Sequence, residues 1–378
     1  MSQKTNIQWA DSTINPVMGC GGCELFPTPG AVVSSINAAA ANLGVSLDSR
    51  RLLKSMIAEG HANIAAPGVG HRDKLTTTNI YHFRDRLGEV VTDSHGRAAG
   101  RAAVEAIKSA VTCYAARLHL NRGASIIKPE RTPKKGYAPT FEQLTQFEGR
   151  LATAAGWSDL LGTPRPESPW KDGLPRMIFV SDMGDALSSK GLFPFLKQEV
   201  THLSTEKGRR HLWIWLTKRP HIMRDFADEI GGLPGNVCAM TTVTGPDALH
   251  RVDELRQIRA SCRGLSVEPL WERIPPESLD LTGIDWLILG GESGGTRTFD
   301  LAWAEELRTH CQKNGTAFFL KQLGRNPVKD GKAMRLKDPH GGDWSEWPEH
   351  LQVREFPQHF HQYRQAERSR RAPRLAHA

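Results

Sequence analysis

The sequence has no run of about eighteen apolar residues, so it offers no candidate membrane span. Its N-terminus, Met1 to Asp11, is polar and lacks the apolar core of an export signal, which predicts a cytoplasmic protein. Its six cysteines are too scattered to read as a disulfide framework. It contains no internal repeat beyond a strand–helix unit. What is present is a chain of 378 residues, 39% apolar and 24% charged, a composition suited to a soluble protein with a core. That length holds one large α/β domain with additions, or two ordinary domains.

Lysine and arginine total 49 against 41 aspartates and glutamates, an excess of 49 − 41 = 8. Half of that excess lies in the last 27 residues, which hold six arginines against Glu355 and Glu367. Such a tail can recruit nucleic acid through phosphate contacts; its plainer reading is a solvated end.

From Met177 onward, short apolar, β-branched runs alternate with helical segments. The predicted strands are Met177–Val180, Leu212–Leu216, Val237–Met240, Leu265–Val267, Trp286–Leu289 and Ala317–Leu320. Between them, Asp247–Ala260 repeats Leu249, Val252, Leu255 and Ile258 on one helical face. Strict alternation of strand and helix predicts a parallel sheet with right-handed crossovers. Upstream the pattern is less regular. Asn6–Cys23 reads as strand and loop, and about Pro27 to Val111 as a mainly helical insertion broken at Ala66–Gly70 and strongly helical at Arg97–Val111. Pro129–Tyr137 reads as a basic surface loop and Glu142–Ala155 as another helix. Beyond Pro357 the chain is rich in His, Gln and Arg, which predicts disorder.

The strand exits carry the chemistry. They read Ser181-Asp182-Met183-Gly184-Asp185, Thr217-Lys218-Arg219-Pro220, Thr241-Thr242-Val243-Thr244, Glu268-Pro269, Gly290-Gly291-Glu292-Ser293-Gly294-Gly295 and Lys321-Gln322. No comparable set enters the strands. In a β/α barrel these ends meet at one mouth, where active sites lie. A doubly wound open sheet also binds ligands at strand carboxyl ends, so the barrel is the favoured of two architectures.

Three cysteines, Cys238, Cys262 and Cys311, fall on apolar strand or helix faces and read as small core residues. Cys20, Cys23 and Cys113 differ in kind. Cys20-Gly21-Gly22-Cys23 sets two thiols on a tight glycine loop, and Cys113 stands at or within a helix entrance. Three thiols without a fourth suit a four-iron cluster with one open iron, which can chelate S-adenosylmethionine. A zinc site of Cys20, Cys23, Cys113 and His119 is the rival. The six-residue step from Cys113 to His119 turns the two apart on a continuous helix. A redox pair of Cys20 and Cys23 would leave Cys113 without a role.

Asn6-Ile7-Gln8-Trp9-Ala10-Asp11, Asn15-Pro16-Val17-Met18-Gly19-Cys20 and Cys113-Tyr114-Ala115 resemble the opening of a phage-associated three-cysteine family that is classed as radical-SAM-like and has no agreed substrate. The resemblance continues through Phe179–Asp185, Leu216–Pro220, Leu265–Leu270, Gly290–Gly294 and Phe319–Gln322. That family keeps its three cysteines close together, whereas here the long insertion separates Cys23 from Cys113. Loop-closure cost grows slowly with length, so an insertion that leaves and returns at one spot preserves the site.

The resemblance implies a [4Fe-4S] cluster on Cys20, Cys23 and Cys113, reductive cleavage of S-adenosylmethionine, an electron donor, and a substrate that includes nucleic acid or a nucleotide among its candidates. The expected fold is α/β, an incomplete (β/α) barrel of the radical-SAM type with a mainly helical insertion near the N-terminus. Its expected parts are a cluster-loop segment (1–26), the insertion (27–111), the barrel (112–333), an extension (334–357) and a disordered basic tail (358–378). At the mouth, Gly290 and Gly291 would permit close backbone approach, and Glu292 would hold a ribose hydroxyl or a cationic amine; the bland reading is a tight βα turn. Asp182 and Asp185 would bind ligand hydroxyls or a metal, or cap the next helix. Lys218 and Arg219 suit an anionic group, or else a salt bridge to Asp182 or Glu268. Glu268 reads as a buried carboxylate with Lys321 as its partner. No residue is singled out as catalytic. The alternative class is a non-catalytic accessory protein, stabilised by zinc or a cluster, that binds nucleic acid.

Overall fold

The computed structural model describes residues 2–20, 144–294 and 297–371 continuously, with shorter pieces between 23 and 141, of which 77–110 is the longest. The chain divides into two compact units, Met1–Pro16 with Glu148–Ala378, and Val17–Phe147.

The first unit opens with β1 (Ser12–Ile14), and the second contains the antiparallel pair of β2 (Val17–Met18) and β3 (Thr145–Gln146). The second unit also holds α1 (Thr77–Ala110), which is interrupted at Gly96 with φ 84°. Expectations about Ala66–Gly70, His119 and most of Pro129–Tyr137 fall outside the described residues.

The first unit continues through α2 (Arg150–Ala155), β4 (Arg176–Val180), α3 (Phe193–Val200), β5 (His211–Thr217), α4 (Pro220–Glu229), β6 (Val237–Thr242), α5 (His250–Arg256) and β7 (Cys262–Val267). Then come β8 (Trp286–Gly290), β9 (Phe299–Asp300), α6 (Leu301–Asn314), β10 (Ala317–Gln322), β11 (Pro327–Lys329), β12 (Lys332–Ala333) and α7 (Gln358–Arg371). Seven strands form one parallel sheet in the order β1-β4-β5-β6-β7-β8-β10. The sheet curls into a half-barrel, in agreement with the expected incomplete β/α barrel. All six expected strands are present. Each is mainly apolar and buried on both faces over most of its length, as strands covered on both sides are.

Side chains alternate across the sheet. Met177, Phe179, Leu212, Ile214, Cys238, Met240, Cys262, Trp286, Ile288 and Phe319 share one buried cluster on its inner face. Trp9, Phe356 and Phe360 complete that cluster; Trp9 meets Phe179 edge-on at 4.7 Å and Phe360 meets Trp286 at 5.6 Å. Of the opposite register, Trp215 packs against Phe226 of α4 at 5.8 Å. Trp213 and Trp215 are both 0% exposed and serve as packing in the wall of the sheet.

Two local expectations are corrected. Disorder beyond Pro357 gives way to α7 over Gln358–Arg371, because Phe360, at 1% exposure, anchors the helix in the core. The helix expected over Glu142–Ala155 begins only at Arg150: Gly149 has φ 71°, outside helical geometry, and Thr145–Gln146 form β3. The buried Glu199 carboxylate accepts from the N–H groups of Gly149 and Leu151 at 2.6 and 2.9 Å, capping α2 from a distance. No helix among the described residues is long and apolar enough to cross a membrane.

Candidate functional site

The polar residues singled out in the sequence stand at the carboxyl ends of the parallel strands, and neighbouring ends hold one another. After β1, Asn15 donates from Nδ2 to Asp182 Oδ1 at 2.5 Å and accepts from Met183 N at 2.8 Å. Asp182 is open at one edge and otherwise enclosed by protein. That loss of water raises its pKa, while the Asn15 hydrogen bond works in the opposite direction. Ser181, between β4 and Asp182, has φ 74°, a left-handed conformation costly for a side-chain-bearing residue.

Asp185 is committed to the end of β5. Its carboxylate accepts from Thr217 Oγ1 at 2.9 and 3.0 Å, from Lys218 N at 3.2 Å and from Leu187 N at 3.0 Å. It also pairs with Arg219 at 3.0 Å. Arg219 of the Lys218–Arg219 step is thus paired with Asp185. Asp182 and Asp185 do different work: one is an enclosed carboxylate with raised pKa, the other a fastener between β4 and β5.

Across the sheet, Glu268 pairs with Lys321, as their charges suggested. The ladder supplies the reason. Leu320 pairs with Leu289 and Gln322 with Gly290, so Lys321 is the extra residue of a bulge. Gly290 leaves room for the pair, since a Cβ there would lie 3.1 Å from Glu268 Cγ. The Glu268–Pro269 peptide is cis.

Gly291 is held closer still: a Cβ would stand 2.3 Å from the Leu323 carbonyl oxygen. This close packing of the 290–292 turn sets Glu292, whose side chain is only 7% exposed. Its Oε1 lies 3.4 Å from Arg297 Nη1, and its Oε2 has no hydrogen-bond partner among the described residues. The Arg297 guanidinium lies over the Trp271 ring at 4.2 Å. Ser181 Oγ, Thr242 Oγ1 and Trp271 Nε1 are likewise buried without a partner among the described residues. These atoms follow or end β4, β6 and β7, and Glu292 follows β8. A buried polar atom left unpaired costs on the order of 1–3 kcal/mol. Four of the buried unpaired atoms thus stand at strand exits, where a ligand can supply the missing partners; the others among the described residues belong to Gln8, Trp9, His211, Trp215, Arg263 and Arg364.

Sequence reading missed Asn15 as the partner of Asp182, and it missed Trp271 and Arg297 altogether. The one sequence signal for Arg297 is its charge, opposite to that of Glu292 five residues earlier.

The three candidate metal ligands lie in the other unit. Cys20 is half-buried, while Cys23 and Cys113 are 7% and 9% exposed. All six cysteines are thiols. Cys238, Cys262 and Cys311 are 1%, 0% and 0% exposed, the core placement their patterns predicted. Among the described residues, no three His, Cys, Asp or Glu side chains are gathered so as to hold a metal ion. In residue type the three thiols suit a cluster, but the structure does not gather Cys20, Cys23 and Cys113 into a metal-holding group.

The profile of a family described as a protein of unknown function (DUF5131) matches residues 105–358, more than half of the chain. No curated protein and no solved structure matches it.

Proposed function

The chain belongs to the DUF5131 family of proteins of unknown function, and from that premise we propose that it is a radical-SAM-like iron–sulfur enzyme. The observation that carries this reading is the set of unpartnered polar atoms at strand carboxyl ends, which includes Oε2 of the 7%-exposed Glu292. A purely structural metal site needs no such set. Cys20, Cys23 and Cys113 would hold the cluster, which when bound supplies the electron for reductive cleavage of S-adenosylmethionine.

The remaining roles belong to the strand ends. Glu292 Oε2 would accept from a cationic amine or a ribose hydroxyl of a bound ligand, and Gly290 and Gly291 would permit close backbone approach. Ser181 and Thr242 add hydroxyls, and Lys218 faces an anionic group. Asp185, Arg219, Glu268 and Lys321 position these residues by fastening β4 to β5 and β7 to β10. The resemblance to phage-associated proteins and the excess of basic residues favour nucleic acid or a nucleotide as substrate. An electron donor is required as partner.

The test is iron and sulfide content after anaerobic reconstitution, with absorption spectra before and after adding S-adenosylmethionine. About four irons, lost in Cys20→Ala, Cys23→Ala and Cys113→Ala, are expected. The spectral response to S-adenosylmethionine should be weakened in Glu292→Gln while iron stays bound. Zinc without iron would sink the radical mechanism and leave a metal-stabilised nucleic-acid-binding protein.

A further inference from the structure

Cys238 and Cys262 take no part in the site above, and their geometry has a chemistry of its own. They are directly opposed in the ladder between β6 and β7. Both belong to the buried cluster on the inner face, at 1% and 0% exposure. Neighbouring strands lie about 4.7–4.9 Å apart, within the roughly 4.4–6.8 Å between Cα atoms that a disulfide spans. The two sulfurs stand 3.1 Å apart, with one thiol directed at the other. Closing to a disulfide length of about 2.05 Å takes a shift of only about 1 Å. Among the described residues no third ligand joins them to make a metal group.

The pair also lies near a rim. Cys262 opens β7, and Ser261 before it is exposed. Gly235, just ahead of β6, accepts from His359 of α7 at 2.9 Å, so α7 roofs this end of the strands. Burial, with the adjacent Cys238 sulfur, pushes the Cys262 thiol well up, which keeps it a thiol at neutral pH. A small oxidant therefore reacts here during local opening of the roof, not in the closed state.

We propose that Cys238 and Cys262 are a redox modification site, forming a reversible cross-strand disulfide on exposure to a peroxide. One sulfur attacks a peroxide oxygen; the O–O bond breaks, giving a sulfenic acid and one water. The second sulfur displaces the hydroxyl of that sulfenic acid, the S–S bond forms, and a second water leaves. The two electrons lost by the sulfurs reduce the peroxide, and both thiol protons end in the waters. The bond fastens β6 to β7, the strands that lead to Thr242 and Glu268.

The experiment treats the full-length protein with hydrogen peroxide, then unfolds it in iodoacetamide and maps the peptides by mass without reductant. The expected product is a peptide pair joined through Cys238 and Cys262, lighter by two hydrogens and released by dithiothreitol. Cys311, 0% exposed on α6, serves as the buried single-thiol control and is expected to be alkylated. Alkylation of Cys238 and Cys262 as complete as that of Cys311 would overturn the proposal. So would conversion of either to a sulfinic acid with no link. Because the map reads wild-type protein, the result does not depend on a core variant folding, nor on whether iron is bound elsewhere.

Discussion

Lys321 owes its role to a ladder irregularity: as the extra residue of a bulge, it turns its ammonium onto Glu268. Removing the ammonium strands a carboxylate that is only 15% exposed. Lys321→Met should therefore destabilise the protein by about 2 kcal/mol, less than the ~3–5 kcal/mol of a fully enclosed pair, because water still reaches both groups. Glu268→Gln in the same chain should restore most of that loss, which urea unfolding of the two variants would show. If the double variant is as weak as the single, the pairing is not what holds this end of the sheet. His211 gives a second residue-scale outcome. It is 0% exposed with Nδ1 unpartnered among the described residues, and burial lowers its pKa to about 4. The unfolded chain takes up the proton near the ordinary 6.5, the folded chain only near 4, so acid favours unfolding across that window. Stability at pH 7 includes a contribution that falls away between pH 6.5 and 4, roughly 3 kcal/mol in all at 1.36 kcal/mol per unit. Urea midpoints for wild type and His211→Asn should diverge at pH 7 and converge toward pH 4; parallel curves would assign the acid response elsewhere. Of these features, the Glu268–Lys321 pair was legible as opposite charges at two strand ends. The left-handed turn at Ser181 was not, since nothing in a serine announces a positive φ.

At the scale of elements, legibility followed the strength of the periodic signal. The six strands β4, β5, β6, β7, β8 and β10 are short, mostly apolar runs bounded by polar exits and separated by helical segments, an alternation that points to a parallel sheet. The helix expected over Glu142–Ala155 failed because one glycine, Gly149, sits with φ 71° where the periodic pattern runs on. The failure at α7 is of another kind. Its composition is that of a disordered tail, yet Phe360, Tyr363, Arg364 and Glu367 recur at helical spacing and face inward. A single stripe led by one aromatic suffices because Phe360 enters a ready-made pocket beside Trp286 and Phe356, with centroids at 5.6 and 6.3 Å. Phe360→Ala should then cost about 3–4 kcal/mol and loosen α7 before the sheet unfolds. Limited trypsin digestion would show it as early cleavage at Arg364 and Arg368 ahead of any cut within β4–β10. Equal resistance in variant and wild type would mean that the hydrogen bonds from Tyr363 to Arg209 and from His359 to Gly235 hold the helix unaided.

At the scale of the whole molecule, the family match and the folded unit have different limits. The match begins at residue 105, inside α1, and ends at 358, at the first residue of α7. The compact unit that contains the half-barrel takes in Met1–Pro16 as well. Those sixteen residues bring edge strand β1, the core side chain Trp9, and Asp11. Asp11 is the anion for two buried cations: Arg165 at 2.9 Å and Lys171 at 3.4 Å. It also accepts from Met177 N at 2.9 Å, which fixes the start of β4. Burial already lowers the Lys171 pKa against the pull of Asp11. Without Asp11, two enclosed positive charges would face each other with no counter-charge, at a cost of several kcal/mol. The loss of Trp9 and Phe360 would open the inner face at the same time. A fragment spanning 105–358 should therefore lack a cooperative thermal transition and dispersed methyl resonances, while a chain ending at Arg371 should keep both. If the 105–358 fragment melts cooperatively, the half-barrel closes its core without β1 and α7, and the segments flanking the matched region are additions to a self-sufficient fold instead of parts of it.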